Sequence, residues 1–172
     1  MKLRPAVSAD IPRLVEIAEA AKVFLHSNGI DQWQNGYPNE QTFAGDIANG
    51  VSYVLCEGDT VEATMCVSFE PDPTYTEIFG GEWLNDEPYA VVHRGAIAPE
   101  CRGKKLGGEI FSAAAELCRE RGVRNIRVDT HRGNKSMRGV LKRMGFHECG
   151  RIYLPDPDGH DPERLAYQLV LE

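Results

Sequence analysis

The run RGKKLGG at residues 102–108 carries the clearest chemical signal in this chain. From there, apolar side chains recur at Leu106, Ile110, Ala113, Ala114, Leu117 and Cys118, which is one face of an amphipathic helix. A helix macrodipole favours acids in its first turn, yet Arg102, Lys104 and Lys105 crowd this one. An external anion is the missing partner. The neighbouring glycines let it approach bare backbone N–H groups at the helix start. The chemistry expected is capture of a phosphate-bearing ligand; the plainer alternative is a solvated basic turn.

Two aromatic clusters sit outside any regular pattern. Trp33 and Tyr37 lie in the turn-rich stretch IDQWQNGYPN. They are either a cap folded on the core or a wall of a substrate pocket. Residues 70–88 hold Glu70, Asp72, Glu77, Glu82, Asp86 and Glu87 with no Lys or Arg, interleaved with Tyr75, Phe79 and Trp83. Such a segment can receive an amine through charge and cation–π contact. It also reads as an exposed insertion loop. Trp33, Tyr37 and Trp83 are the substrate-binding candidates.

The elements that must position these residues follow from periodicity and punctuation. Lys2 to Val7 reads as a strand, and Ser8 or Asp10 caps a helix whose first turn holds Pro12. Ile11, Leu14, Val15, Ala18, Ala21 and Leu25 mark its buried face. Asn39 caps a second helix over residues 40–48. Ser52 to Cys56 and Val61 to Phe69 form a hairpin around Gly58-Asp59. Tyr89 to Ile97 is an apolar strand interrupted by His93-Arg94-Gly95, where the glycine signals a bulge or a close ligand approach. After the basic helix come a strand at Ile126–Thr130, a helix capped by Asn134 and closed by Gly145, and two strands, His147 to Leu154 and Arg164 to Leu171. PDPDGHDP between the last two reads as a turn. Strands alternating with helices make one α/β domain over residues 1–172.

Composition sets limits on function. A net charge of −7 opposes nucleic acid as a partner, because a phosphate backbone calls for a broad basic surface. Cys56, Cys66, Cys101, Cys118 and Cys149 form no CxxC pair, so neither a zinc site nor a disulfide framework is expected. Free thiols suit a reducing compartment, and no apolar run approaches membrane-spanning length. The expected setting is cytoplasmic, with no metal and no membrane partner.

No GxxxxGK[ST] or helix-opening GxGxxG is present. The basic segment instead resembles the acyl-CoA-binding motif of the GNAT superfamily of N-acetyltransferases, [QR]-x-x-G-x-[GA]. Arg102 and Gly107 match it, Leu106 takes the free position, and Lys105 stands where the first glycine usually sits. The order that follows in VDTHRGNKSMRGVLKRMGF, with Asn134 at a helix start and Gly145-Phe146 at its end, is similar to the family's.

The resemblance implies a single GNAT-like α/β domain. Its mixed sheet of six or seven strands, with the fourth and fifth splayed apart, would be flanked by about four helices. It implies acetyl-CoA as donor and CoA as product. The pantetheine would pair with backbone around Ala96, Ile97 and Ala98, and the pyrophosphate with N–H groups of Gly103, Lys104, Lys105, Leu106, Gly107 and Gly108. Arg102 belongs to the same loop, and Asn134 would face the cofactor. Gly107→Asp is expected to weaken CoA binding while the fold survives.

Direct attack by a primary amine needs a base, since an aliphatic ammonium has a pKa near about 10. His93 is the first candidate, and Asp129 and His131 are the second. The family often places a Tyr four residues before the Gly of Gly-Phe as proton donor. Leu141 occupies that position, leaving solvent, Ser136 or Tyr153. The acceptor expected is a small cationic amine, with a protein N-terminus or lysine as the alternative. A catalytically silent acyl-CoA-binding module is the reading of another class. A homodimer is compatible with all of these.

Overall fold

The computed structural model describes residues 1–155 and 160–172, so the turn expected within PDPDGHDP falls partly on 156–159, outside the described residues. β1 (Lys2–Pro5), a 3-10 turn, α1 (Ile11–Ser27) and α2 (Glu40–Ala48) precede the hairpin of β2 (Ser52–Glu57) and β3 (Thr60–Ser68). An irregular segment over 69–88 leads to β4 (Tyr89–Ile97), α3 (Leu106–Glu120), β5 (Asn125–Thr130) and α4 (Lys135–Arg143). β6 (His147–Tyr153) and β7 (Glu163–Val170) close the chain. The strands form one mixed sheet in the order β1-β2-β3-β4-β5-β7-β6, antiparallel throughout except for β4 against β5.

β4 and β5 pair only at Tyr89–Asn125, Ala90–Ile126 and Val91–Arg127. Beyond Val91 the two strands part, which is the splay that the resemblance implied. A one-residue bulge sits in β4, where His93 pairs with Cys66 but Ala96 with Thr64. It falls at His93-Arg94-Gly95 as expected, yet the left-handed residue is Arg94 (φ 53°) rather than the glycine.

The bulge changes which side chains face which layer, because side chains alternate along a strand. Before it, Ala90 and Val92 join the core under α3 and α4, while Val91 points to the opposite face. After it, Ala96 and Ala98 join the core under α1 and α2. Parity puts His93 on the face of Val91. On β5, Ile126 and Val128 enter the α3–α4 core, so Arg127 and Asp129 share the face of His93.

α3 buries Leu106, Ile110, Phe111, Ala114, Ala115 and Cys118, a wider stripe than the spacing alone suggested. Each large side chain taken from water contributes about 1.5–3 kcal/mol. α1 and α2 cover one half of the other face. Segment 69–88 covers the rest: Tyr75 packs with Val91, Ile152 and Ala166, and Phe79 pairs with Arg151 of β6. The segment is therefore a strap folded on the sheet, and most of its acids remain exposed. The Gly81 position lies so close to the Cys149 carbonyl, 1.9 Å from where a Cβ would be, that only glycine fits there. Among the described residues, no helix is long and apolar enough to cross a membrane.

Candidate active site

The gap between β4 and β5 opens into a cavity of about 770 Å³. The bulged strand supplies His93, Arg94, Gly95, Ala96 and Ile97 to its wall, the start of α3 supplies Arg102, Gly103 and Gly107, and β5 supplies Asp129 and Thr130. Trp33 and Tyr37 line it from the α1–α2 loop, and Asn134 and Ser136 from the start of α4.

The basic turn has the conformation an anion site needs. Gly103 has φ 86°, and Lys105, the N-cap of α3, is left-handed with φ 63° and ψ 14°. A lysine thus takes the backbone shape that the motif's glycine would adopt without strain. Leu106 and Gly107 head the helix, where the first N–H groups have no intrahelical acceptor. Lys104 and Lys105 are exposed. α4 meets this helix start through Val140 and Met144, while its cations Lys135, Arg138 and Lys142 line a separate pocket with Glu148 and Tyr167, so the donors at the turn are its backbone N–H groups and the two lysines. A pyrophosphate fits that donor set, and the unpaired edge of β4 fits an extended amide chain beside it.

Other residues of the expected site are used differently. Arg102 donates to the Ala20 carbonyl (2.8 Å) and lies 4.8 Å over the Phe24 ring. Ala98 and Leu106 are buried in the α1-side core, and Ala98 N donates to Glu62 O. Gly108 faces Met144. Asn134 lines the cavity while its side-chain oxygen caps α4 by accepting from Met137 N. At Gly107 a Cβ would stand 2.9 Å from Val140 Cγ2. Gly107→Asp would therefore disturb the α3–α4 contact, which corrects the expectation of an intact fold.

At the other end of the cavity, His93 Nε2 meets Asp72 Oδ2 of the strap at 2.9 Å. The Tyr75 hydroxyl donates to Asp129 Oδ2 (2.7 Å), and the rings of Tyr75 and His93 are 6.3 Å apart. His93 and Asp129 thus face one space from neighbouring splayed strands. The His93 hydrogen bond, with help from Thr74, holds the Asp72 carboxyl down to about 2. Burial pushes Asp129 above the usual carboxylate range, against the pull of His93 and Tyr75.

His131 is outside the cavity wall and works as a tie, 3.6 Å from Asp31 and 3.5 Å from Asp161. Trp83 is also outside it; its ring stacks under Arg127 and its indole N–H donates to the Tyr75 carbonyl. Of the alternative proton donors, Ser136 lines the cavity and Tyr153 does not, while Leu141 is fully buried. The cysteines are all buried and unpaired, and burial raises Cys66 and Cys118 to about 11. Both are packing thiols.

Sequence reasoning missed Asp72 as a partner of His93, and Asp31, Asp161 and Arg164 as lining residues. It also missed the clamp at the bulge. Arg94 binds Asp46 of α2 through two bonds of 2.8 and 2.7 Å and donates to the Tyr37 hydroxyl at 2.6 Å. The bulge and the loop that carries Tyr37 are fixed together by this one guanidinium. Strand parity was the available signal for the His93–Asp129 pairing. Nothing local marks Asp72 or Asp46.

Residues 15–146 match the Acetyltransferase (GNAT) family. A crystal structure of a GNAT-family acetyltransferase from Streptococcus agalactiae 2603 is 31% identical, covers 99% of this chain and 95% of its own, and superposes with a TM-score of 0.89. A phosphinothricin acetyltransferase from Sinorhizobium meliloti, solved in complex with AcCoA, shares the fold at 20% identity over 99% of this chain and 88% of its own, with a TM-score of 0.69. A Bacillus subtilis (strain 168) protein provisionally named [ribosomal protein bS18]-alanine N-acetyltransferase is 36% identical over 55 residues. That stretch is 32% of this chain and only 36% of that protein's length.

Proposed function

The chain belongs to the GNAT family of acetyltransferases, and from that premise we propose that it transfers the acetyl group of acetyl-CoA to the primary amine of a small molecule. Bound acetyl-CoA supplies an activated acetyl thioester. The backbone N–H groups of Gly103 and of the α3 start would hold its diphosphate, with Lys104 and Lys105 alongside, and the free edge of β4 at Ala96 and Ile97 would align its amide chain. Trp33 and Tyr37 wall the acceptor end. The carboxylates of Asp31 and Asp129 favour a cationic acceptor. His93 takes the proton that an ammonium must lose before its nitrogen becomes a nucleophile.

The closure of the acceptor end bears on the acceptor's size. Asp161 N donates to Asp31 Oδ2 at 2.8 Å, and His131 stands between the same two carboxylates. The α1–α2 loop and the β6–β7 loop are thereby joined across the cavity, where an incoming polypeptide would have to lie. The Bacillus subtilis relative's name gives the competing reading, a protein N-terminus. CoA thiol release with 2-phenylethylamine and spermidine, against alanine-initiated and lysine-containing peptides, separates them. Turnover with the amines is expected. Turnover with peptides alone would refute the small-molecule acceptor, and tight CoA binding without any release would mark a silent binding module.

A further inference from the structure

We propose that Asp72 is a positioning residue for His93: its carboxylate holds the imidazole as the Nε2–H tautomer and leaves Nδ1 as the nitrogen that accepts the proton. This rests on the reading of His93 as the base. A carboxylate facing Nε2 at 2.9 Å can only accept, so Nε2 must carry the hydrogen and the lone pair lies on Nδ1. As the acceptor's N–H bond breaks, the new N–H bond forms at Nδ1, and the imidazolium charge faces Asp72 across the existing bond. Asp72 remains anionic through this cycle because its carboxyl is held down to about 2.

Asp72 is itself positioned independently of His93. Its other oxygen, Oδ1, accepts from Thr74 N (2.8 Å) and Thr74 Oγ1 (2.6 Å), and its backbone N–H donates to the Tyr89 hydroxyl (3.3 Å). The two oxygens divide the work, one tied into the strap and one facing the imidazole. The strap does not need the imidazole to dock. Phe79 exchanges backbone bonds of 2.9 and 2.8 Å with Arg151, and Leu84 N donates to Gln168 at 3.0 Å. The other titratable groups near His93 are Tyr75 of the strap, Asp129 of β5, Arg94 and Tyr89 of its own strand, and Cys66 across the sheet. Among the described carboxylates, Asp72 is the one in hydrogen-bond contact with the ring.

The experiment is nitrogen-15 NMR of the histidine rings in the ligand-free protein, with His93 assigned through His93→Gln. The Nε2–H tautomer is expected in the parent. Asp72→Asn keeps the Thr74 cap only with its amide oxygen on Thr74 N, which turns the NH2, a donor, toward His93 Nε2. A shift of the ring toward the Nδ1–H tautomer is expected in that variant. With 2-phenylethylamine as acceptor, Asp72→Asn should lower kcat roughly tenfold with KM unchanged, and Asp72→Glu should restore part of the rate. An identical tautomer in parent and Asp72→Asn would overturn the proposal. Unchanged turnover in His93→Ala would instead remove the base reading, whatever the NMR shows.

Discussion

Replacing Gly107 with alanine sets two effects of opposite sign against each other, and the structure decides between them. A glycine in a helix costs about 1 kcal/mol relative to alanine, so the swap alone should stabilise α3. That gain is smaller here, because Gly107 lies in the first turn. Against it, the added Cβ would stand 2.9 Å from Val140 Cγ2 and 3.4 Å from Cγ1. Valine is stiff about χ1, so relief requires α4 to move, and overpacking of this kind costs about 1–3 kcal/mol. Gly107→Ala should therefore lose about 1 kcal/mol, a fall of about 2–4 °C in Tm for a domain of this size. Val140→Ala removes the obstructing methyls, so the double variant should be more stable than the sum of the single effects by about 1–2 kcal/mol. Urea unfolding followed by tryptophan fluorescence measures all three. A stabilised Gly107→Ala, or strict additivity in the cycle, would refute the close α3–α4 contact. CoA titration on the same variants then reads how far helix spacing sets the phosphate site.

Two further outcomes concern charge. Asp46→Ala leaves the largely covered Arg94 with only the Tyr37 hydroxyl as side-chain partner, and a loss of about 2 kcal/mol is expected in urea unfolding, together with weaker acceptor binding as the bulge and the Tyr37 loop loosen. Asp72 has a folded pKa depressed from 3.8 to about 2, so its stabilising contribution is present above about pH 4 and disappears as pH falls through 2. The difference in stability between parent and Asp72→Asn should accordingly shrink by about 1–2 kcal/mol between pH 6 and pH 2. A difference that does not vary with pH would show that the carboxylate gains nothing from its partners in the folded state.

Periodicity located the regular elements closely, because alternation in the strands and the α3 stripe both arise from burial. α2 starts at Glu40 behind Asn39, and β4 runs from Tyr89 to Ile97, as their end signals indicate. The basic helix start was legible because its charges conflict with the helix dipole. What stayed hidden depends on chain segments that meet without any local pattern. Asp72 reaches His93 only because the strap folds back over β6, and Asp46 reaches Arg94 only because α2 packs beside the bulge. Trp83 was misplaced for a related reason: an aromatic in a loop says that it will be covered, and here Arg127 and Tyr75 provide the cover. Left-handed backbone at Arg94 went unseen because glycine, the usual sign of it, stands at the next position, Gly95, rather than at Arg94 itself.

The strap imposes a timetable on synthesis. Its docking partners on β6 and β7, Arg151 and Gln168, are encoded about seventy to ninety residues after it. At ordinary translation rates of about 5–20 residues per second, Tyr75, Phe79 and Trp83 wait roughly 4 to 19 s on a nascent chain before Arg151 and Gln168 exist to receive them. The half of the cleft proposed to hold the phosphates is encoded within that interval, whereas the pairing of Asp72 with His93 must await the final hairpin. A chain still on the ribosome would thus complete the proposed donor half of the cleft before the proposed acceptor half, with Tyr75, Phe79 and Trp83 uncovered until the last hairpin arrives.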